Sequence, residues 1–415
     1  MTPDMHADAV TIAAELTELR RAIHRKPEIG LDLPGTQDKV LQALAGLPLE
    51  ITRGASLSSV TAVLRGAGPR PGAGPRPEAG PGHEAGPAVL LRGDMDALPV
   101  TERTGVSYAS RLDGAMHACG HDLHTAMLVG AARLLSARHA DLAGDVIFMF
   151  QPGEEGCGGA LRMIEEGVLT AAGPTVTAAF GLHVTSAMLP LGVAAGRPGT
   201  MMAAADTLDV TIRGRGGHAA QPHHAADPIP VACEIVTALQ TLVTRGFDVF
   251  DPVVITVGSF HAGTAENIIP AEAHFLATVR SFSAAARGKV RDAALRLIRQ
   301  IAAAHGLTAD ARCTDRYPVT VNDPGQLDFA RQTITGMFGA HRYLQAPFPV
   351  PGAEDFSFVL ERVPGAFIML GACPPGADPA TAPFNHSAEA VFDDAVLPDG
   401  AALLAQLAMA RLAAA

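Results

Sequence analysis

The sequence predicts an α/β protein with a mostly parallel-sheet domain and an inserted ferredoxin-like α+β lid domain. Uninterrupted apolar runs alternate with helical segments in the first half of the chain, a pattern typical of a parallel sheet covered on both faces. In the middle of the chain the order changes to β-α-β-β-α-β, which is typical of an antiparallel ferredoxin-like fold. A length of 415 residues also exceeds what one hydrophobic core usually serves.

Composition and charge narrow the class of protein. Hydrophobic residues make up 48% of the chain, and the formal net charge of -11 disfavours a nucleic-acid surface. The polar N-terminus lacks an apolar signal core, and no run of about 18 apolar residues is present. The five cysteines have no paired spacing, which favours a reducing compartment. We therefore expect a soluble, cytoplasmic protein that binds neither nucleic acid nor a membrane.

The parallel-sheet domain is predicted over residues 1–196 and 321–415. Its elements, in order, are strands or helices at Ser59–Leu64, Ala88–Leu91, Leu123–Ser136, Val146–Phe150, Gly159–Glu166, Thr177–Leu182 and Ala366–Leu370. The Gly-Ala-Pro repeat at Gly66–Pro87 is interpreted as a solvated loop between two strands. Ligands bind beyond the carboxyl ends of parallel strands, so the polar residues that follow these strands are expected at one edge of the sheet.

The inserted domain is predicted over residues 197–320. Its strands and helices are expected at Asp206–Arg213, Pro228–Arg245, Val253–Phe260, Ala273–Phe282, Ala284–His305 and Asp310–Val321. Alternation of apolar and polar residues in the first of these strands indicates a half-exposed antiparallel sheet.

Candidate metal ligands follow the apolar runs. Cys119 and His121 are two residues apart in the segment H-A-C-G-H-D-L-H, a spacing that lets one loop present both to a metal. His117 and His124 are alternatives for a supporting role, and a helix cap at Asp122 is the competing interpretation. A thiol, imidazoles and carboxylates together suit zinc, manganese, cobalt or nickel; the candidates are Cys119, His121, Glu154, Glu155, His183 and His386.

Adjacent carboxylates indicate hydrolytic chemistry. Glu154 and Glu155 follow Pro152-Gly153, and a tight turn there lets one carboxylate bind a metal while the other accepts a proton from water. A solvated acidic turn is the alternative. Asp94 and Asp96 follow another strand, and one of them is a candidate to hydrogen-bond a ligand imidazole.

Three further residues lie in the predicted inserted domain. His218, in the glycine-rich segment Gly214–Ala219, is a candidate to hold an oxyanion, with a lone surface histidine as the alternative. The same segment fits a dinucleotide-binding pattern only weakly, because the next helix starts near Pro228. Asn267 and Arg280 are candidates to bind a substrate carboxylate, although structural hydrogen bonds explain them equally well.

These motifs, in this order, resemble a known enzyme superfamily. They read L-L-R-G-D-M-D-A-L-P, M-H-A-C-G-H-D-L-H, F-Q-P-G-E-E-G, G-L-H-V, R-G-R-G-G-H-A-A-Q-P-H, N-I-I-P, T-V-R-S-F, A-E-D-F and F-N-H-S. The set resembles the metal-dependent amidohydrolases of the aminoacylase and carboxypeptidase superfamily, in the branch of hippurate hydrolase and indole-acetyl-amino-acid hydrolase. The resemblance covers nearly the whole chain.

The resemblance implies two divalent metal ions in a catalytic parallel-sheet domain, and a homodimer formed through the inserted lid and dimerisation domain. It implies metal binding by Cys119, which would bridge the ions, and by His121, Glu155, His183 and His386, with Glu154 as general base and Asp96 as the supporting aspartate. It also implies that His218 reaches the active site of a second copy and that Asn267 and Arg280 bind substrate.

The implied reaction is hydrolysis of N-acyl-L-amino acids to a carboxylic acid and a free amino acid. A metallo-dipeptidase or carboxypeptidase would use the same groups on a peptide bond and is the alternative. A non-catalytic metal-binding protein would give Glu154 no purpose. A nucleotide-dependent oxidoreductase rests only on the weak glycine pattern.

Overall fold

A computed structural model describes residues 4–69, 86–173 and 176–414, so most of the Gly66–Pro87 segment lies outside the described residues. The chain forms two compact units. The first comprises the described residues up to Gly199, Val321–Phe348 and the described residues from Phe358 onward. The second comprises Thr200–Thr320 and the short segment Pro349–Ser357, which the sequence did not assign to the insertion.

Helices are numbered in chain order. They are α1 (Met5–Thr11), α2 (Ala13–His24), α3 (Pro34–Leu44), α4 (His121–Ser136), α5 (Gly159–Glu165), α6 (Pro228–Gly246), α7 (Ala284–Ala304), α8 (Pro324–Phe338), α9 (Ser357–Leu360) and α10 (Leu397–Ala413).

Strands are numbered in the same way. They are β1 (Leu49–Arg53), β2 (Val60–Leu64), β3 (Ala88–Asp94), β4 (Asp145–Gln151), β5 (Val176–Thr185), β6 (Ala194–Gly196), β7 (Gly199–Met202), β8 (Ala204–Arg213), β9 (Gly217–His218), β10 (Val253–Ala262), β11 (Ile268–Ile269), β12 (Glu272–Ser281), β13 (Thr308–Tyr317), β14 (Thr320–Asn322), β15 (Tyr343–Gln345) and β16 (Gly365–Gly371).

The first unit is built on an eight-stranded mixed sheet with the order β1-β2-β4-β3-β5-β16-β6-β15. Its central strands β4, β3, β5 and β16 run parallel. Strands β3 and β4 are buried along their whole length, which explains their uninterrupted apolar sequences. Helices α4 and α10 pack closely at Gly130, where a Cβ atom would lie only 2.7 Å from the Cβ atom of Ala401. The predicted fold class is confirmed for this unit.

The second unit contains a four-stranded antiparallel sheet with the order β10-β12-β8-β13. Apolar side chains of these strands pack against α6 and α7 in a separate core. The predicted β-α-β-β-α-β order is therefore present. The strand predicted at Asp310–Val321 is instead two strands, β13 and β14, separated at Pro318, whose ring removes a backbone donor.

Helix α10 and the turn before it form an apolar segment. Asp394–Ala413 is the one helix among the described residues that is long and apolar enough to cross a membrane. Of its apolar window, 67% is buried inside the protein, and α10 packs against α4 and α8. The apolar character of the segment is thus explained by its place in the core.

A buried ionic network joins α2 to the start of α4. The guanidinium of Arg20 donates to Asp122 Oδ2 at 2.6 Å, and His24 Nδ1 lies 2.7 Å from the same oxygen. His24 Nε2 is 3.3 Å from Glu102. Burial raises the pKa of Glu102, but hydrogen bonds from His24, Thr104 and a backbone N–H lower it to about 2. In this network, the buried carboxylate of Asp122 forms an ion pair with Arg20.

The helix-cap interpretation of Asp122 is consequently wrong. Gly120 occupies the N-cap position, and its positive φ of 86° suits glycine. Asp122 lies in the first turn of α4, where a negative charge is favourable to the helix dipole.

Replacement of Glu102 by Gln tests the contribution of this network to stability. An unfolded glutamate has a pKa of about 4.3, above the folded value, so the ionised form stabilises the fold above about pH 4 and this stability is lost as the pH falls towards about 2. We expect Glu102→Gln to be less stable than wild type at pH 7 in urea unfolding, with a difference that shrinks as the pH is lowered. The exposed Glu18→Gln is the control. A difference independent of pH would contradict this assignment.

Candidate metal centre

Four segments of the first unit bring the predicted ligands together. His183 lies near the carboxyl end of β5, and Glu154 and Glu155 lie in the turn after β4. Cys119 and His121 lie at the start of α4, and His386 lies in the loop before α10. Strands β3, β4 and β5 are parallel neighbours, so their carboxyl ends meet at one edge of the sheet, as predicted.

Cys119 is the centre of the cluster. Its Sγ atom lies 3.4 Å from His183 Nε2 and 3.3 Å from His386 Nε2. Glu155 Oε1 lies 3.3 Å from His386 Nε2 and 4.0 Å from His121 Nε2. The ligand atoms of Cys119, His121 and His183 form one group within 4.8 Å of one another, and those of Cys119, Glu155 and His386 form a second. The thiol is thus common to both groups.

Backbone carbonyls fix which nitrogen faces the cluster in two of the histidines. His121 Nδ1 donates to the carbonyl of Asp96 at 2.9 Å, and His183 Nδ1 donates to the carbonyl of Val184 at 2.8 Å. Since a carbonyl only accepts, the Nδ1 atom of each ring carries a proton and the Nε2 atom faces the cluster. Burial lowers the pKa of His183 well below its ordinary value, which favours its neutral form.

His124 is excluded as a ligand because both ring nitrogens are occupied. Its Nε2 accepts from the backbone N–H of Val184 at 2.7 Å, and its Nδ1 donates to Asp94 Oδ1 at 2.5 Å. His117 is fully buried, its pKa is lowered to about 3 by burial, and it belongs to none of the ligand groups among the described residues. Of the histidines in this segment, only His121 directs a nitrogen at the cluster.

Asp96 holds the backbone of both glutamates. Its Oδ1 accepts from the backbone N–H of Glu154 at 2.9 Å, and its Oδ2 accepts from that of Glu155 at 3.0 Å. Glycines with positive φ, Gly153 at 73° and Gly156 at 80°, lie on either side of the pair. The resulting turn directs Glu155 towards His386, while Glu154 is 6% exposed and its carboxylate lies within 4.8 Å of the ligand atoms of His121 and Glu155.

Asp94 belongs to a buried hydrogen-bond network next to the centre. Arg92 donates to Asp94 Oδ2 at 2.7 Å and to Gln151 Oε1 at 2.9 Å, linking β3 to β4. Burial raises the pKa of Asp94, but the Arg92 guanidinium and the neighbouring imidazoles of His121 and His124 lower it well below its ordinary value. Asp94 and Asp96 therefore approach His121 from opposite sides, with Asp94 Oδ2 3.4 Å from Nε2.

The residues present fit a metal centre. His121 Nε2 and Glu155 Oε1 are buried, and neither makes a well-oriented hydrogen bond within the described ranges. Contacts of 3.3 Å from His386 Nε2 to Cys119 Sγ and to the Glu155 carboxylate raise the pKa of His386 to about 10, which indicates a site that favours positive charge. Thiol, imidazole and carboxylate donors together suit zinc and neighbouring divalent ions.

The second unit holds the remaining predicted residues at two separate places. His218 pairs with Ile268 in the β9–β11 ladder, next to Asn267, whose carbonyl accepts from Ala219 N–H at 3.1 Å. Arg280 lies near the far end of β12, roughly 25 Å along the strand from Glu272 at about 3.3 Å per residue. Within one chain, the structure brings His218 and Asn267 together and keeps Arg280 apart.

Sequence reasoning missed several residues that support the centre. Asn385 was part of the motif F-N-H-S but received no role, and Arg92 and Gln151 were also unassigned. A buried arginine in an apolar strand is itself a signal, because such a charge is almost always paired.

Comparison with known proteins places the chain in a family. Residues 90–410 match the profile described as peptidase family M20/M25/M40. The chain belongs to this family.

Several relatives are similar to this chain over nearly its whole length. The chain is 36% identical to thermostable carboxypeptidase 2 of Saccharolobus solfataricus over 97% of this chain and 96% of the relative. It is also 36% identical to the IAA-amino acid hydrolase ILR1-like 4 of Arabidopsis thaliana, over 94% of this chain and 84% of the relative. The crystal structure of the YXEP protein of Bacillus subtilis, described as a dinuclear metal-binding peptidase, matches with a TM-score of 0.79 at 31% identity, covering 97% and 99% of the two chains.

Proposed function

We propose that the protein is a metal-dependent amidohydrolase that cleaves N-acyl-L-amino acids to a carboxylic acid and a free amino acid. The observation that carries the proposal is the buried carboxylate of Glu154 beside a cluster of thiol, imidazole and carboxylate ligands. Membership of a hydrolase family supports the reaction type, and an amino-acid conjugate hydrolase among the relatives supports the substrate class. The carboxypeptidase relative supports the alternative, a peptide substrate.

Two divalent ions, such as zinc, manganese, nickel or cobalt, are the proposed cofactors. We assign their ligands to Cys119, His121, Glu155, His183 and His386, with Cys119 shared because it belongs to both ligand groups. When bound, such ions polarise an amide carbonyl and lower the pKa of a water molecule. Asp96 positions the site by holding His121 through its carbonyl and both glutamates through its carboxylate.

Glu154 is the proposed general base. It takes a proton from the attacking water and returns the proton to the leaving amine nitrogen, which leaves the carboxylate unchanged after one turnover. Because Glu154 is buried, bulk water screens the charge of its carboxylate only weakly.

His218 is the proposed oxyanion donor. Its Nδ1 accepts from the backbone N–H of Ala220 at 3.1 Å, so the neutral ring carries its proton on Nε2 and offers it as a donor. We assign substrate binding to Asn267 beside it and to Arg280, whose partly buried guanidinium suits a substrate carboxylate. Because Arg280 lies far from His218 in one chain, we propose that the two act in one site from two copies.

A homodimer formed through residues 197–320, acting as a lid and dimerisation domain, is the proposed assembly. Strand β10 is at one end of its sheet, and such an edge can pair with another chain. Val249, Phe250 and Val254, in and just before this strand, are 79%, 93% and 46% exposed, which supports contact with a second copy.

We place the protein in the cytoplasm, since its five cysteines are all free thiols.

The first experiment measures amine release from a panel of N-acyl amino acids and dipeptides. We expect release by metal-loaded enzyme, loss of release after chelator treatment, and recovery when manganese, zinc, cobalt or nickel is added. A preference for N-acyl amino acids over dipeptides supports the proposed substrate class, and the reverse supports the peptidase. Absence of release across the panel by fully loaded enzyme would contradict the proposal.

Glu154→Gln separates catalysis from metal binding. The amide cannot accept the proton, so we expect turnover to fall by about 10²–10⁴-fold while metal content, measured by elemental analysis, stays at the wild-type value. Glu155→Gln is the matched control, since loss of a ligand should lower metal content. Full activity in Glu154→Gln would remove its assigned role.

Mixing two inactive variants tests the role of a second copy. His218→Ala and Glu154→Gln should each be inactive alone. After the two are mixed, unfolded and refolded together, mixed dimers contain one site with an intact Glu154 and an intact His218 from the other copy, so activity should return in part. The double variant refolded alone is the control. No recovery from mixed dimers, verified by mass, would show that His218 does not act across copies.

A further inference from the structure

The side-chain amide of Asn385 hydrogen-bonds with both of its ends. Its Nδ2 donates to the carbonyl of Cys119 at 3.2 Å and to the carbonyl of Val184 at 3.0 Å. Its Oδ1 accepts from the backbone N–H of Ser186 at 3.0 Å and from the Ser186 hydroxyl at 3.1 Å. One planar group therefore joins the segment before α4 to the end of β5.

The next residue, His386, has an unusual backbone. Its φ of 73° lies in the left-handed region, which is costly for a residue with a Cβ atom. Its backbone N–H donates to the carbonyl of Ala118 at 2.8 Å, and its side chain is 55% exposed. Little packing therefore supports the imidazole, and its place beside Cys119 depends on hydrogen bonds of the turn.

We propose that Asn385 is a positioning residue of the metal centre: it fixes Cys119, His183 and His386 relative to one another and thereby sets the affinity for metal. The inference rests on the proposed function, because it assumes these three residues bind metal. The Asn385 amide donates to the carbonyl of Cys119 and to that of Val184, the residue after His183. Asn385 also directly precedes His386 in the chain. Each ligand segment is therefore within one residue of an Asn385 contact.

The chemistry of the amide explains why other side chains fail at this position. Aspartate has nearly the same shape but no N–H, so a carboxylate oxygen would face the carbonyl oxygens of Cys119 and Val184. Alanine leaves both carbonyls without this donor and Ser186 without this acceptor. Nδ2 also lies 3.9 Å from the Cys119 Sγ atom, within reach of a weak hydrogen bond to sulfur.

Asn322 is a matched control in the same unit. Its Nδ2 donates to the carbonyls of Arg197 and Phe367, each at 3.1 Å, and its Oδ1 accepts from the Phe367 N–H at 2.7 Å. Asn322 is buried, and none of its hydrogen bonds involves a proposed ligand. Its loss removes a comparable set of backbone hydrogen bonds without touching the centre.

The test is a Co²⁺ titration of the full-length, metal-stripped wild-type protein and the variants Asn385→Ala, Asn385→Ser, Asn385→Asp and Asn322→Ala. Dissociation constants come from competition with a chromogenic chelator, the thiolate-to-cobalt absorption band reports on Cys119, and circular dichroism with urea unfolding reports on folding. We expect Co²⁺ affinity to fall about 10–100-fold in the Asn385 variants, most in Asn385→Asp, with a weakened thiolate band. Asn322→Ala should lose stability but keep its Co²⁺ affinity.

The outcomes separate the inference from the proposed function. Wild-type affinity and an unchanged thiolate band in Asn385→Ala or Asn385→Ser would overturn the positioning role, as would an equal loss of affinity in Asn322→Ala. If the wild-type protein itself binds no Co²⁺, the proposed function fails instead. Should Asn385→Asp not fold, the milder Asn385→Ser still decides the question.

Discussion

The arrangement of the proposed ligands depends on the buried charge of Asp94. A carboxylate that is 0% exposed is stable only if it is paired and hydrogen-bonded. Arg92 supplies the cation and His124 supplies a hydrogen bond, and these partners in turn reach Gln151 on β4 and Val184 on β5. Three strands and the start of α4 are thereby held in register where the proposed ligands emerge.

Much of this arrangement was predictable from local patterns. Fully buried strands have uninterrupted apolar sequences, and the carboxyl-edge rule then gathers the residues that follow them, which is why Glu154, Glu155 and His183 were expected near one another. The antiparallel sheet of the second unit was predictable from its alternation of apolar and polar residues. The break at Pro318 could also have been anticipated, since proline lacks the donor that a ladder needs.

The rest depends on contacts between residues distant in sequence. His121 and His124 lie in the same motif, and only the Val184 N–H, donated to His124, decides which imidazole faces the cluster. The ion pair of Asp122 was not predicted, because its partner Arg20 lies about a hundred residues earlier in the chain. For Asn385 the obstacle was similar, since an amide in a loop has no local pattern that identifies its acceptors.

The unequal exposure of the proposed ligands has a kinetic consequence. His121 and His183 are 0% and 8% exposed, whereas the His386 side chain is 55% exposed. An ion entering from solvent would meet His386 first, and an ion leaving would be released by it last. If these residues hold an ion, its rate of exchange would depend on the exposed left-handed turn at His386, and its lifetime could change without any change in the buried ligands.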